Sequence, residues 1–163
     1  SRGALWRESL PVAPALAYTA RVLVLLEVLL VAVALALVLA VLRAGTPTAA
    51  QVVAVVCVSL VVTLQVTAGA MRWSVRRPFA VDLRSARATP APPLTMVGYS
   101  TRLALVTTFT GMLFVATSRF PDWRLSVLVA VPFLLFSLLR LVRTASLWER
   151  AETRSRVVTA VAG

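Results

Sequence analysis

Histidine is absent from the 163 residues, and cysteine occurs once, at Cys57. Those two shortages remove the usual zinc and bis-histidine haem ligands, every Ser/His or Cys/His nucleophile pair, and any disulfide within the chain. Lysine is missing too, so all 17 basic residues are arginine. That bias points first to a high-GC coding genome and only second to the forked donors that arginine offers phosphate. Acids number six, and no two of them share an apolar run. With no Gly-rich phosphate loop either, the chain shows no catalytic constellation, no metal site and no cofactor motif, and the expectation is a protein that is not an enzyme. Charged residues make up 14% of the chain against a usual ~25%, which excludes a disordered basic tail and a nucleic-acid partner bound on a charged face.

Apolar surface is what the chain has in excess. Hydrophobic residues make up 60% and the mean hydropathy is +0.89, above the roughly 45 to 50% apolar share of globular domains. A soluble core of this size cannot bury so much, so the chain reads as an integral membrane protein.

The longest run, residues 22–42, lies between Arg21 and Arg43 and contains one charge, Glu27. A spanning helix needs about 20 residues, and a secretory leader has an apolar stretch of only about 7 to 15, so a retained span is expected here. A second run, 49–69, follows Pro47 and has Gln51 and Gln65 as its most polar members. Its Val-rich stretch is too long for a strand, and lipid forbids an unpaired one. The third and fourth runs are shorter: 16 residues separate Arg102 from Arg119, and 15 separate Arg124 from Arg140. Both fall below the usual ~17 to 25, so either the arginines snorkel to the headgroups or Arg140 sits deeper and faces protein. The expected fold is all-α: one membrane domain of four transmembrane helices in a bundle, about 20–43, 48–69, 101–118 and 124–145. A loop at 70–100 and a tail at 146–163 complete it, with the tail continuing helix four and pairing Glu152 with Arg156. Pro132 is expected to kink helix four.

Fourteen of the 17 arginines precede helix one, lie between helices two and three up to Arg102, or follow Leu139, whereas only Arg43, Arg119 and Arg124 fall on the other side. The positive-inside rule then places both termini and the connection in the cytoplasm, and the protein in a bacterial inner membrane. Within the connection, Pro78 suits the first turn of a short interfacial helix with Phe79, Leu83 and Ala86 on its apolar stripe. Arg76, Arg77, Arg84 and Arg87 would meet anionic lipid headgroups at about 1 kcal/mol each, and Pro90, Pro92 and Pro93 would enforce an extended return to helix three. Tyr18 and Arg21 recur as Tyr99 and Arg102, Trp73 after helix two recurs as Trp148 after helix four, and the pattern is compatible with two tandem helical hairpins. The general preference of Tyr and Arg for interfaces explains most of that match without duplication.

Glu27, some 9 Å of helix rise beyond Arg21, must be neutral, paired or wet. Three readings follow: an ion pair with Arg140 or Arg102, a proton or cation site, or contact with a partner subunit. Ser59, Thr63 and Thr67 form one row of small residues, Thr107 and Gly111 a second, and Ala32, Ala36 and Ala40 a third. Such rows serve close helix packing before they serve a permeation path. The function expected from these features is a non-catalytic accessory subunit bound to other membrane subunits. The alternative is an oligomeric channel or a small proton- or cation-coupled transporter using Glu27.

Overall fold

The computed structural model describes residues 13–78 and 93–162, and among these the chain is all helical, with four helices long and apolar enough to cross a membrane. The interfacial helix expected after Pro78, and with it Arg84 and Arg87, falls outside the described residues. Helix α1 (Pro14–Ala44) opens with Pro14 at its first position, where a missing N–H costs nothing. It closes on Gly45, whose positive φ of 77° carries the chain out of the helix while its N–H bonds to the Val41 carbonyl. Helix α2 (Ala49–Arg76) begins at a reciprocal cap: Gln51 N–H donates to Thr48 Oγ1 at 3.3 Å, and Thr48 N–H donates to Gln51 Oε1 at 2.9 Å.

Helices α3 (Pro93–Thr117) and α4 (Arg124–Trp148) are 25 residues each. α3 therefore starts earlier than the expected 101–118, and α4 ends shortly beyond the expected 124–145. Arginine is a good helix former, and the charge requires water or a counter-charge and not a helix end, so both helices run past Arg102 and Arg140. Pro93, expected to keep the chain extended, starts α3 instead, while Pro90 and Pro92 lie outside the described residues. Between α3 and α4, Asp122 Oδ1 accepts the Arg124 N–H at 3.0 Å. Exposed Trp123 stands at this turn, with the Arg124 guanidinium 5.8 Å from its ring centroid, at an end of the bundle as an interfacial Trp would be.

Helices α2 and α4 form the central pair, and α1 and α3 flank it. Their seam follows a seven-residue repeat. Ala54, Val61, Ala68 and Val75 are buried on α2, and Ala130, Ser137 and Thr144 on α4, with Leu141 and Trp148 beside them. Small residues every seven positions let two helices approach closely, which is how helices associate where lipid tails are as apolar as the side chains. α1 joins through Tyr18, whose hydroxyl donates to the Leu141 carbonyl at 3.1 Å, and through Arg21, whose guanidinium lies 4.7 Å from the Trp148 ring centroid. α3 joins through Thr110, which donates to Gln65 Oε1 at 3.1 Å. At its far end, Ser126 Oγ of α4 donates to Thr117 Oγ1 at 2.9 Å. The Tyr18 and Trp148 contact and the tilted Trp73 and Tyr99 pair at 5.6 Å are reciprocal across the two hairpins, each first helix resting on the other hairpin's second.

The tail does not prolong α4. Glu149 and Arg150 turn the chain, and Arg154 Nη1 donates to the Trp148 and Glu149 carbonyls at 3.3 and 2.7 Å, satisfying groups that the helix end leaves open. Helix α5 (Ala151–Ala162) then packs Val157 into the cluster of Val75 and Trp148, and Arg156 Nη2 donates to the Val75 carbonyl at 3.4 Å in place of the expected pairing with Glu152.

Candidate functional site

Arg72, Arg76, Arg77, Arg102 and Arg140 converge on one cavity of about 500 Å³ at the end of the bundle where α2 stops and α3 starts. Each helix supplies its share at helical spacing. α2 contributes Gln65, Gly69, Arg72, Trp73 and Arg76, at intervals of three and four that make one face. From α3 come Tyr99, Arg102, Val106 and Thr107, and from α4 Phe133, Phe136 and Arg140. Gly69 is in the lining as well, and a Cβ there would meet nothing within 4 Å.

Every charged side chain lining this cavity is cationic. Arg140 is half-buried, and the charges acting on it are those of Arg72, Arg102 and Arg76. Arg72 in turn senses Arg76, Arg102 and Arg143. Two like charges 4 Å apart repel by about 4 kcal/mol at an effective dielectric near 20, and by half that at twice the distance, so the cluster is held against a standing electrostatic cost. Two cations rest partly on rings: Arg140 lies 5.6 Å from the Phe136 centroid and Arg77 5.1 Å from the Trp73 centroid. Two donors in the lining, Arg140 Nε and Trp73 Nε1, are buried without a hydrogen-bond partner among the described residues. Gln65 has its carbonyl oxygen engaged by Thr110, which leaves its amide N–H₂ to offer. The wall is therefore rich in donors and positive charge, while Val66, Leu103 and Val106 supply an apolar floor.

Glu27 is elsewhere. It is exposed near the middle of α1, on the side away from the stripe Val22, Leu25, Leu29, Val33 and Leu37 that leans on the bundle. The expected pairing with Arg140 or Arg102 is not formed among the described residues: both arginines line the cavity, to which α1 contributes no residue. Sequence distance along one helix carries no information on the direction in which Glu27 faces, because α1 is apolar on every side.

The small-residue rows divide. Thr63 and Thr67 are buried and Ser59 half-buried, with Thr67 Oγ1 donating to the Thr63 carbonyl at 2.8 Å. Thr107 and Gly111 do not make the α3 contact. Thr107 lines the cavity and bonds back to Leu103, and a Cβ at Gly111 would meet nothing within 4 Å. The buried row on α3 is instead Thr110, Phe114 and Thr117, one residue round the helix. Ala32, Ala36 and Ala40 remain exposed. Of the arginines assigned to lipid headgroups, Arg76 and Arg77 are exposed at the mouth of the cavity.

No protein-family model matches the chain, and neither a characterised protein nor a solved structure does.

Proposed function

We propose that the protein is a non-catalytic accessory subunit of a larger membrane assembly, bound through the outward face of α1. The observation that carries this reading is Glu27, an ionisable group near the middle of a helix long and apolar enough to span, which the other described residues leave exposed. A carboxyl facing hydrocarbon is costly, and intramembrane acids mark partners or pathways. On the same face Val24, Val31 and Val38 recur every seven residues and are 60, 55 and 57% exposed, with Glu27, Ala34 and Val41 at the intervening positions of the heptad. That is the pattern of a second packing seam, and it fits a transmembrane helix of a different polypeptide that brings a cation or hydrogen-bond donor to the depth of Glu27. The arginine distribution orients the assembly with the cavity end and both termini in the cytoplasm of a bacterial cell, where Arg76 and Arg77 meet anionic headgroups.

The experiment is affinity purification of the full chain from its native membranes in mild detergent, beside Glu27→Leu. Stoichiometric recovery of a different membrane polypeptide with the wild type, and its loss with Glu27→Leu while the variant stays folded, is the expected result. Recovery of a homo-oligomer alone, with proton or cation flux that Glu27→Gln abolishes, overturns it in favour of the channel or transporter.

A further inference from the structure

We infer that the cavity among α2, α3 and α4 is a binding site for a phosphate group that bears close to two negative charges, with Arg72, Arg102 and Arg140 as its principal ligands. This rests on the cavity alone and is independent of the part played by α1. Three observations converge. The five guanidiniums of the lining come from three helices and have no carboxylate among the lining residues to neutralise them. Arg140 Nε and Trp73 Nε1 are buried donors without an acceptor among the described residues, and both line the same cavity. Gly69 lines the same cavity, and a Cβ there would stand in open space.

The chemistry of the donors selects the ligand. Guanidinium forks match the paired oxygens of phosphate, whose three acceptor oxygens can serve several arginines at once. A phosphomonoester at neutral pH carries about −1.5 to −2, whereas a diester carries one charge and a carboxylate one with only two oxygens. The apolar floor of Val66, Leu103 and Val106 fits an amphiphile whose headgroup presents the phosphate. The same oxyanion chemistry is also met by a soluble phosphate or diphosphate entering from the arginine side.

Thermal unfolding of the purified full chain in detergent tests this with phosphatidic acid, phosphatidylglycerol, phosphatidylcholine, inorganic phosphate and pyrophosphate as probes. A rise in Tm with phosphatidic acid, well above that with phosphatidylglycerol, is expected. Arg140→Gln and Arg72→Gln should each weaken it at least about tenfold, the loss expected for one charge-assisted pair. Arg43→Gln, at the opposite end of the bundle, should leave it intact. Each cavity variant without ligand should unfold at the same or a higher temperature than the wild type, because a like charge has been removed from the cluster. Gly69→Leu, which adds bulk to the α2 side of the lining and keeps every arginine, should weaken the response as well. Stabilisation by phosphatidic acid alone identifies a lipid headgroup as the source, and an equal effect of pyrophosphate identifies a soluble one. Equal responses of wild type, Arg140→Gln and Gly69→Leu would overturn the proposal, as would equal responses to phosphatidic acid and phosphatidylglycerol, which mark headgroup attraction at the surface.

Discussion

A hydroxyl inside this bundle is worth what it bonds to, and two residues show the contrast. Tyr18 is 6% exposed, and its hydroxyl donates across the bundle to the Leu141 carbonyl, one of few polar ties that α1 has to the other helices. Tyr18→Phe keeps the ring and removes that bond, so a loss of about 1 kcal/mol is expected, measured by equilibrium unfolding in mixed micelles. Thr63 is as deeply placed, at 4% exposed, but its Oγ1 has no partner among the described residues. Thr63→Val keeps the shape and removes an unpaired polar atom, so stability equal to or above the wild type is expected from the same measurement. A loss at Thr63 comparable to that at Tyr18 would mean that the hydroxyl is engaged in the folded bundle. Arg140 belongs to neither case, since its buried Nε faces a cavity that gives it neighbours of its own sign only.

Among the helices, the contact that decides stability is the seam between α2 and α4. Ala130 is 3% exposed at its centre, facing the cluster of Val61 and Phe114. Ala130→Leu forces bulk into a close approach and is expected to cost about 1 to 3 kcal/mol. Leu128, two residues earlier and 71% exposed, faces outward. Leu128→Ala is expected to cost little, since lipid replaces the lost contacts. The paired unfolding midpoints check both. Much of this level was legible in the sequence. Four apolar runs gave four helices, and Gln65 and Thr67 were identifiable as interior polar groups. The row Ser126, Ala130, Ser137 and Thr144 went unread because Leu and Val dominate the composition of α4, although its small residues at spacings of four and seven were the signal. The cap on α2 was written as Thr48 and Gln51, three apart ahead of an apolar run, but Pro47 drew the start instead. Helix four was read past Arg140, to 145, but the turns of α3 ahead of Arg102 were not readable, since a charge at the edge of an apolar run looks the same whether it ends a helix or lines a cavity. The convergence of Arg72, Arg102 and Arg140 depends on how three helices are rotated against one another, which no spacing within one of them encodes.

Taken as a whole, the molecule is polarised. One end of the bundle carries the arginine cavity and α5, and the other carries the turns around Gly45 and Trp123. If the arginine end is cytoplasmic, a single cysteine at Thr46 labels with an impermeant thiol reagent in intact cells, and one at Ser155 does not, both in a Cys57→Ala background. Labelling at Ser155 alone would reverse the orientation. The partition between α1's two sides is the larger claim. Its inner stripe leans on the bundle, and its outer face, with Glu27 at its centre, is the one we propose for another polypeptide. The most direct measurement is photo-crosslinking in native membranes, with the crosslinking amino acid at Val24 or Val31 on the outer face and at Leu29 on the inner stripe. The account expects adducts to a different membrane polypeptide from Val24 and Val31, and only intramolecular products from Leu29. Adducts to lipid alone from the outer positions, or to a second copy of this chain, would contradict it.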